Sequence, residues 1–121
     1  NQNSYSFKSL GQVRYLSTLK YCDFVIGNSS SGVIESPHFR KRTINIGRRQ
    51  EGRIKPLNVV DSSYDTKSLL KAYKKITTHK FLRSVKKMKN PFDKKNTSKK
   101  ICSKLEKIKI DQTTIKFFND L

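Results

Sequence analysis

Apolar residues at Leu10, Val13, Leu16 and Leu19 recur with helical spacing. They predict a buried amphipathic helix, capped by Ser9 and running to about Tyr21. Phe24, Val25 and Ile26 form a short continuous apolar run bounded by Gly27, the pattern of a strand buried on both faces of a parallel sheet. Gly32 to Phe39 reads as a short helix, Thr43 to Ile46 as a second β-branched strand ended by Gly47, and Asn58 to Val60 as a third. Asp65 caps a further helix with Leu69, Leu70, Tyr73 and Ile76 on its buried side. Phe81, Leu82 and Val85 continue the helical spacing after a break near His79. Asn90 and Pro91 punctuate the chain, Thr97 or Ser98 caps a lysine-rich helix through Ile101 and Leu105, and the tail carries Phe117 and Phe118. Helix, strand, helix, strand, strand, then helices is the order of an α/β layer with parallel strands.

At 121 residues the chain is one domain's worth, enough for a modest single core. An apolar fraction of 34% and twelve Phe and Tyr residues argue against wholesale disorder. Cys22 and Cys102 match no metal-ligand spacing and no disulfide framework, so they read as reduced core thiols of a cytoplasmic protein. No metal and no cofactor is expected. No run approaches membrane-spanning length and no basic-then-apolar leader is present, so no membrane partner is expected either. The first residue is Asn1, which suggests a piece of a longer chain.

The formal net charge of +18 adds a competing idea, because a strong basic excess suits nucleic acid or another polyanion. Residues 1–60 hold ten basic and three acidic residues, and 61–121 hold seventeen and six. Lys71, Lys74, Lys75, Lys86, Lys87, Lys94, Lys95, Lys99 and Lys100 spread along helical faces without the interleaved aromatics of a base-stacking platform. A solvated lysine-biased surface is therefore favoured. A small basic nucleic-acid-binding or scaffold module stays open as the alternative.

Candidate chemistry gathers where the predicted strands end. In an open α/β sheet, ligands bind outside the carboxyl ends of the strands, where a loop feeds a helix whose first N–H groups are unpaired. "GNSSSG", residues 27–32, occupies that place. Gly27 and Gly32 allow close backbone approach, Ser29, Ser30 and Ser31 supply hydroxyls, and a helix start favours an anion: a phosphate cradle. An ordinary serine-rich turn has the same letters. Glu35, about one turn further on, suits a ribose diol, or simply the dipole of a solvated first turn. A second loop, "GRRQEGR" over 47–53, follows the next strand and delivers Arg48, Arg49 and Arg53 at the same edge. Arginines there suit bidentate contact with a diphosphate, although a basic surface turn reads the same way.

"SLGQVRYLSTLKYCDFVIGNSSSGVIESPHF" followed by "TINIGRRQEGR" resembles the carboxy-terminal domain of the hydrolysing UDP-N-acetylglucosamine 2-epimerases, enzymes of sialic-acid-type sugar biosynthesis. "NPFDKKNTSKKI" and the closing "IKFFNDL" match that family's tail, so the resemblance spans essentially the whole chain. It implies a Rossmann-like three-layer α/β domain with a parallel sheet, the second half of a glycosyltransferase-B-like fold. Residues 1–121 would then be a single UDP-binding domain, partnered by an amino-terminal domain that carries the catalytic carboxylates. Ser29 and Ser30 would contact the diphosphate, Glu35 the ribose hydroxyls and Arg49 the phosphates, with Ser31, Gly32 and Arg53 as weaker additions by position. The full-length enzyme would be a possible homodimer. No catalytic acid or base is assigned within this chain. Arg40, Arg42 and Arg48 depart from the family's pattern, standing where it usually has Gly, Pro and Asp.

Overall fold

The computed structural model describes residues 3–108. The expectations for Phe117, Phe118 and the "IKFFNDL" tail lie outside the described residues. Three strands form one parallel sheet in the order β1 (Phe24–Gly27), β2 (Arg42–Ile46), β3 (Val59–Ser62). Phe24 is in register with Arg42, Ile26 with Ile44, and Ile44 with Val60. The helices are α1 (Gly11–Tyr21), α2 (Ser31–Ile34), α3 (Thr66–Thr77), α4 (His79–Lys87) and α5 (Thr97–Leu105), with a 3-10 turn over Ser36–Phe39.

Side-chain alternation along β2 makes this a three-layer domain, because successive residues of a strand point to opposite faces. Ile44 is fully buried in a cluster with Val60, Ala72 and Ile76, and Phe24, Ile46, Leu69 and Phe81 pack around it. That is the α3 side. Thr43 turns the other way, toward Gly32 and Ser36 of the α2 side. A Cβ on Gly32 would come within 2.8 Å of the Thr43 methyl, so glycine is what lets α2 lie this close to the sheet. The Rossmann-like α/β reading holds, with helices on both faces of a parallel sheet.

Several local expectations are corrected by tertiary position. β1 is the edge strand of the described sheet and only half-buried, with Ile26 49% exposed, rather than covered on both faces. On α1 only Leu19 is buried, while Val13 is 79% exposed, because the described residues cover a narrow strip of that helix. The segment expected as one helix over 32–39 breaks into α2 and the 3-10 turn, with Pro37 placed near the start of the second piece. On α3 the buried positions are Ala72 and Ile76, four apart, with Leu69 half-buried. Leu70 and Tyr73 lie off that stripe and are exposed, although the Tyr73 ring still meets Phe24 edge-on at 5.8 Å. The third strand begins at Val59, because Asn58 lies in a turn in which the Val59 N–H bonds the Pro56 carbonyl at 3.1 Å.

The caps separate into kept and shifted. The Asp65 carboxylate accepts the Ser68 N–H at 2.7 Å and Thr78 Oγ1 accepts the Phe81 N–H at 3.2 Å, which produces the break before α4. Ser9 Oγ accepts the Gly11 N–H at 3.3 Å, although Leu10 holds the cap position of α1. α5 starts after Asn96 in a left-handed conformation, not at a Thr or Ser cap. Cys22 is half-buried, and burial pushes its thiol above the usual range. Cys102 is exposed on α5, which has no buried residue, so it is not core filler. Among the described residues no helix is long and apolar enough to cross a membrane.

Candidate functional site

Both candidate loops emerge at the carboxyl edge of the sheet, the serine loop from β1 and the arginine loop from β2. Adjacent parallel strands bring them side by side. The tie between them is Gln50, whose Nε2 donates to the Asn28 carbonyl at 2.7 Å. Sequence reasoning passed over this residue, since a glutamine between arginines carries no hydrophobic signal.

The serine loop is organised by its own backbone. The Ser29 carbonyl accepts the Gly32 N–H at 3.2 Å, and the Ser30 carbonyl accepts those of Val33 and Ile34 at 3.0 and 2.9 Å. Ser29 Oγ accepts the Ser31 N–H at 3.3 Å, and Ser30 makes no side-chain cap bond. The Ser31 hydroxyl hydrogen-bonds Tyr15 Oη of α1. Tyr15 was also missed, yet its signal was present: it stands four residues before buried Leu19, on the same helical stripe. At four residues α2 has little dipole, so anion affinity here rests on local N–H groups, hydroxyls and arginines.

Behind the loop lies a buried polar network. Ser36 Oγ donates to the Gly32 carbonyl at 2.8 Å, lies 2.8 Å from Thr43 Oγ1, and accepts from Asn58 Nδ2 at 2.8 Å. Asn58 Nδ2 also reaches the Lys41 carbonyl at 2.6 Å. Ser36, Thr43 and Asn58 are all buried. Such groups are costly to bury unless bonded, and the bonds of this network join α2, β2 and the chain before β3, although Asn58 Oδ1 itself has no partner among the described residues. The network holds α2 against β2.

Glu35 ends α2, half-buried, its N–H bonded to the Ser31 carbonyl at 3.0 Å. It lines a cavity of about 540 Å³ together with Phe7, Ser9, Leu10, Gln12 and Tyr15. The exposed ring of Phe7 gives this cavity an aromatic wall that no periodicity could reveal.

In the arginine loop the three arginines part company. Arg48 donates to Glu51 Oε1 at 2.8 Å and turns to a different cavity, of about 380 Å³, between the β2 and β3 ends with Lys55, Asp61 and Tyr64. Arg49 and Arg53 are exposed and take part in neither of the two ion pairs among the described residues, Arg48–Glu51 and Lys55–Asp61. Gly47 turns with φ +73, and a Cβ there would strike the Tyr64 ring, so the loop's exit from β2 demands glycine. Burial pushes the Asp61 carboxyl up, but hydrogen bonds from Lys55 and Asn45, with the Lys55 charge, outweigh it and hold Asp61 below the usual carboxylate range. These bonds fix the far side of the loop. Among the described residues no group of three His, Cys, Asp or Glu gathers to hold a metal.

The two other atypical arginines have structural partners. Arg40 holds φ 52, a left-handed conformation that suits glycine, and its guanidinium donates to the Lys86 carbonyl at the end of α4. Arg42 donates to the Asp23 carbonyl at 3.0 and 3.3 Å and to that of Ile76 at 3.2 Å, tying β1, β2 and α3 together.

The fold and edge loops define a Rossmann-like α/β domain whose serine and arginine loops share the carboxyl edge of the sheet. The family model for UDP-N-acetylglucosamine 2-epimerase matches residues 1–106, and the chain belongs to that family. It is 44% identical over 75 residues to the GDP/UDP-N,N'-diacetylbacillosamine 2-epimerase (hydrolyzing) of Campylobacter jejuni, covering 62% of this chain and 19% of that protein. It is 38% identical over 95 residues to the polysialic acid biosynthesis protein P7 of Escherichia coli, covering 76% and 24%. A UDP-N,N'-diacetylbacillosamine 2-epimerase (hydrolyzing) of Legionella pneumophila is 39% identical over 54 residues, covering 45% and 14%. The chain thus spans less than a quarter of the length of these relatives.

Proposed function

We propose that this chain is the nucleotide-binding part of a hydrolysing UDP-N-acetylglucosamine-type 2-epimerase, working with an amino-terminal domain. The observation that carries the reading is the joining of the serine and arginine loops at one sheet edge through Gln50 and the Asn28 carbonyl. Ser29 and Ser30 hold the diphosphate with Arg49, and Arg53 adds positive potential. Ser31 acts through Tyr15 rather than freely, and Gly32 allows the close seat of α2. Glu35, lining a cavity large enough for a nucleoside, accepts the ribose diol. Family membership and the printed names of the hydrolysing relatives support the reaction type.

In that reaction a base removes the C2 proton, the C1–O bond breaks with its electron pair leaving on UDP, and a 2-acetamidoglucal remains. Water then adds, its hydroxyl to C1 and a proton to C2, giving the epimerised free sugar. This chain's share is to anchor and stabilise the departing diphosphate, since interactions with the developing charge are what lower the barrier. The base belongs to the partner domain, so the 121 residues alone bind nucleotide weakly and turn nothing over. The sugars named for the relatives differ while UDP recurs in the epimerase names, once beside GDP, and the nucleotide side is what this chain supplies.

Titration with UDP and with pyrophosphate tests the assignment. Glu35→Ala weakens UDP about tenfold or more and leaves pyrophosphate unchanged, because a hydrogen bond to a charged group is worth about 1.5–3 kcal/mol. Ser30→Ala weakens both. Equal loss of both ligands in Glu35→Ala removes the ribose role. Salt-sensitive binding of a random oligonucleotide without UDP binding favours the basic-module alternative.

A further inference from the structure

Gln50 is the buried residue of an otherwise exposed arginine loop: it is 3% exposed, while Arg48, Arg49, Glu51, Gly52 and Arg53 all face solvent. A long polar side chain is rarely buried and loses rotamer freedom when it is. Its Nε2 spends its donor on the Asn28 carbonyl, the group immediately before Ser29. Its Oε1, like Asn45 Oδ1 and Asn58 Oδ1, is buried with no hydrogen-bond partner among the described residues. An orphaned acceptor opposes folding, so the residue is a poor choice for stability alone. An apolar side chain of the same volume would remove the orphan together with the bond. The arginine loop is already fixed on its other flank, where Lys55 pairs with Asp61 and Asn45 Nδ2 donates to Asp61 at 2.8 Å. The Gln50 bond therefore adds little to closing that loop, and its distinct effect is on the serine loop 22 residues away.

We infer that Gln50 is a positioning residue that couples the two loops, setting the 28–31 backbone against Arg49 so that serine N–H groups and guanidinium grip one diphosphate together. Without the link each loop holds its ligand half separately, and the order of both must be supplied at binding. Preorganisation of this kind strengthens affinity without adding a contact. The inference rests on the nucleotide reading above for its ligand but not for the link itself.

The test compares the whole chain with Gln50→Leu and Gln50→Glu by thermal unfolding, by hydrogen exchange of the 28–34 amides without ligand, and by UDP titration. In Gln50→Leu the unfolding midpoint stays within about two degrees, because bond and orphan vanish together. Exchange at 28–34 quickens about tenfold, and UDP and pyrophosphate both weaken about tenfold. Gln50→Glu weakens them further, since a carboxylate facing the Asn28 carbonyl pushes the loops apart and repels phosphate. Unchanged exchange at 28–34 in Gln50→Leu overturns the coupling, as does a loss of affinity accounted for entirely by a lowered midpoint. A wild-type chain that does not bind UDP refutes the nucleotide reading instead, and the exchange measurement still decides the role of Gln50.

Discussion

The carboxyl edge of the sheet and the lysine-rich stretch from α4 through α5 are both basic, yet they are built on opposite plans. At the sheet edge, polar side chains are buried: Asn45, Gln50 and Ser62 are all under 6% exposed, and Gln50 is bonded across to the serine loop. In the second region α4 buries only Val85 and α5 buries nothing, with Ile101 and Leu105 more than half exposed. The lysine-rich stretch carries more charge, yet charge is not the difference that bears on binding. What does is whether the backbone beneath the charge is held, because a phosphate is gripped by donors fixed in advance, while a lysine on a solvated face supplies only a screened field.

The largest expected contrast is in stability. Ile44→Ala opens a cavity at the centre of the sheet and costs about 2–5 kcal/mol, whereas Ile101→Ala on α5 changes unfolding by less than about 0.5 kcal/mol. Urea unfolding of the two variants measures both, and similar losses would show that α5 belongs to the same packed unit. Next comes the network behind the serine loop. Thr43→Val keeps the shape and removes one hydroxyl from Ser36, costing about 1 kcal/mol, with slower recovery of UDP binding after dilution from denaturant not expected.

Acid provides a gentler probe. The folded pKa of Asp61 is depressed, so its contribution is complete above the unfolded carboxylate range and is lost as pH falls through the folded value. The unfolding midpoint should therefore decline below about pH 4, and Asp61→Asn should flatten part of that decline. Asp65, depressed by bonds from Ser63 and the Ser68 N–H, adds to the remainder with the same sign. The smallest effect sharpens the comparison from the other side. Reversing Lys74, Lys87 and Lys99 to Glu should leave UDP affinity within about twofold at physiological salt, since exposed charges beyond about 8 Å are screened. A tenfold loss would put the ligand on the lysine face.

The place of the serine and arginine loops was legible in the chain because its signals are local: glycines where the strands end, and a strand-then-loop rhythm that announces a parallel sheet. The Asp65 cap and the break before α4 were legible for the same reason, each being a contact within three residues. Burial was less so. Helical spacing marks a stripe, but which neighbour covers it depends on elements far away, hence the exposed Val13, Leu70 and Tyr73 and the half-covered edge strand β1.

By itself, the sequence determined the α/β class, the punctuation between elements and the residue types that stand where the strands end, since all of these follow from backbone preference and short-range chemistry. Only the tertiary structure decided that Arg48 turns aside to Glu51, that Tyr15 holds Ser31, that Ser36, Thr43 and Asn58 share one buried network, and that Gln50 joins the loops. Most of those partners stand between 7 and 22 residues apart in the chain. The sheet sets them side by side, and hydrogen bonds between such residues have no periodicity for a sequence to display.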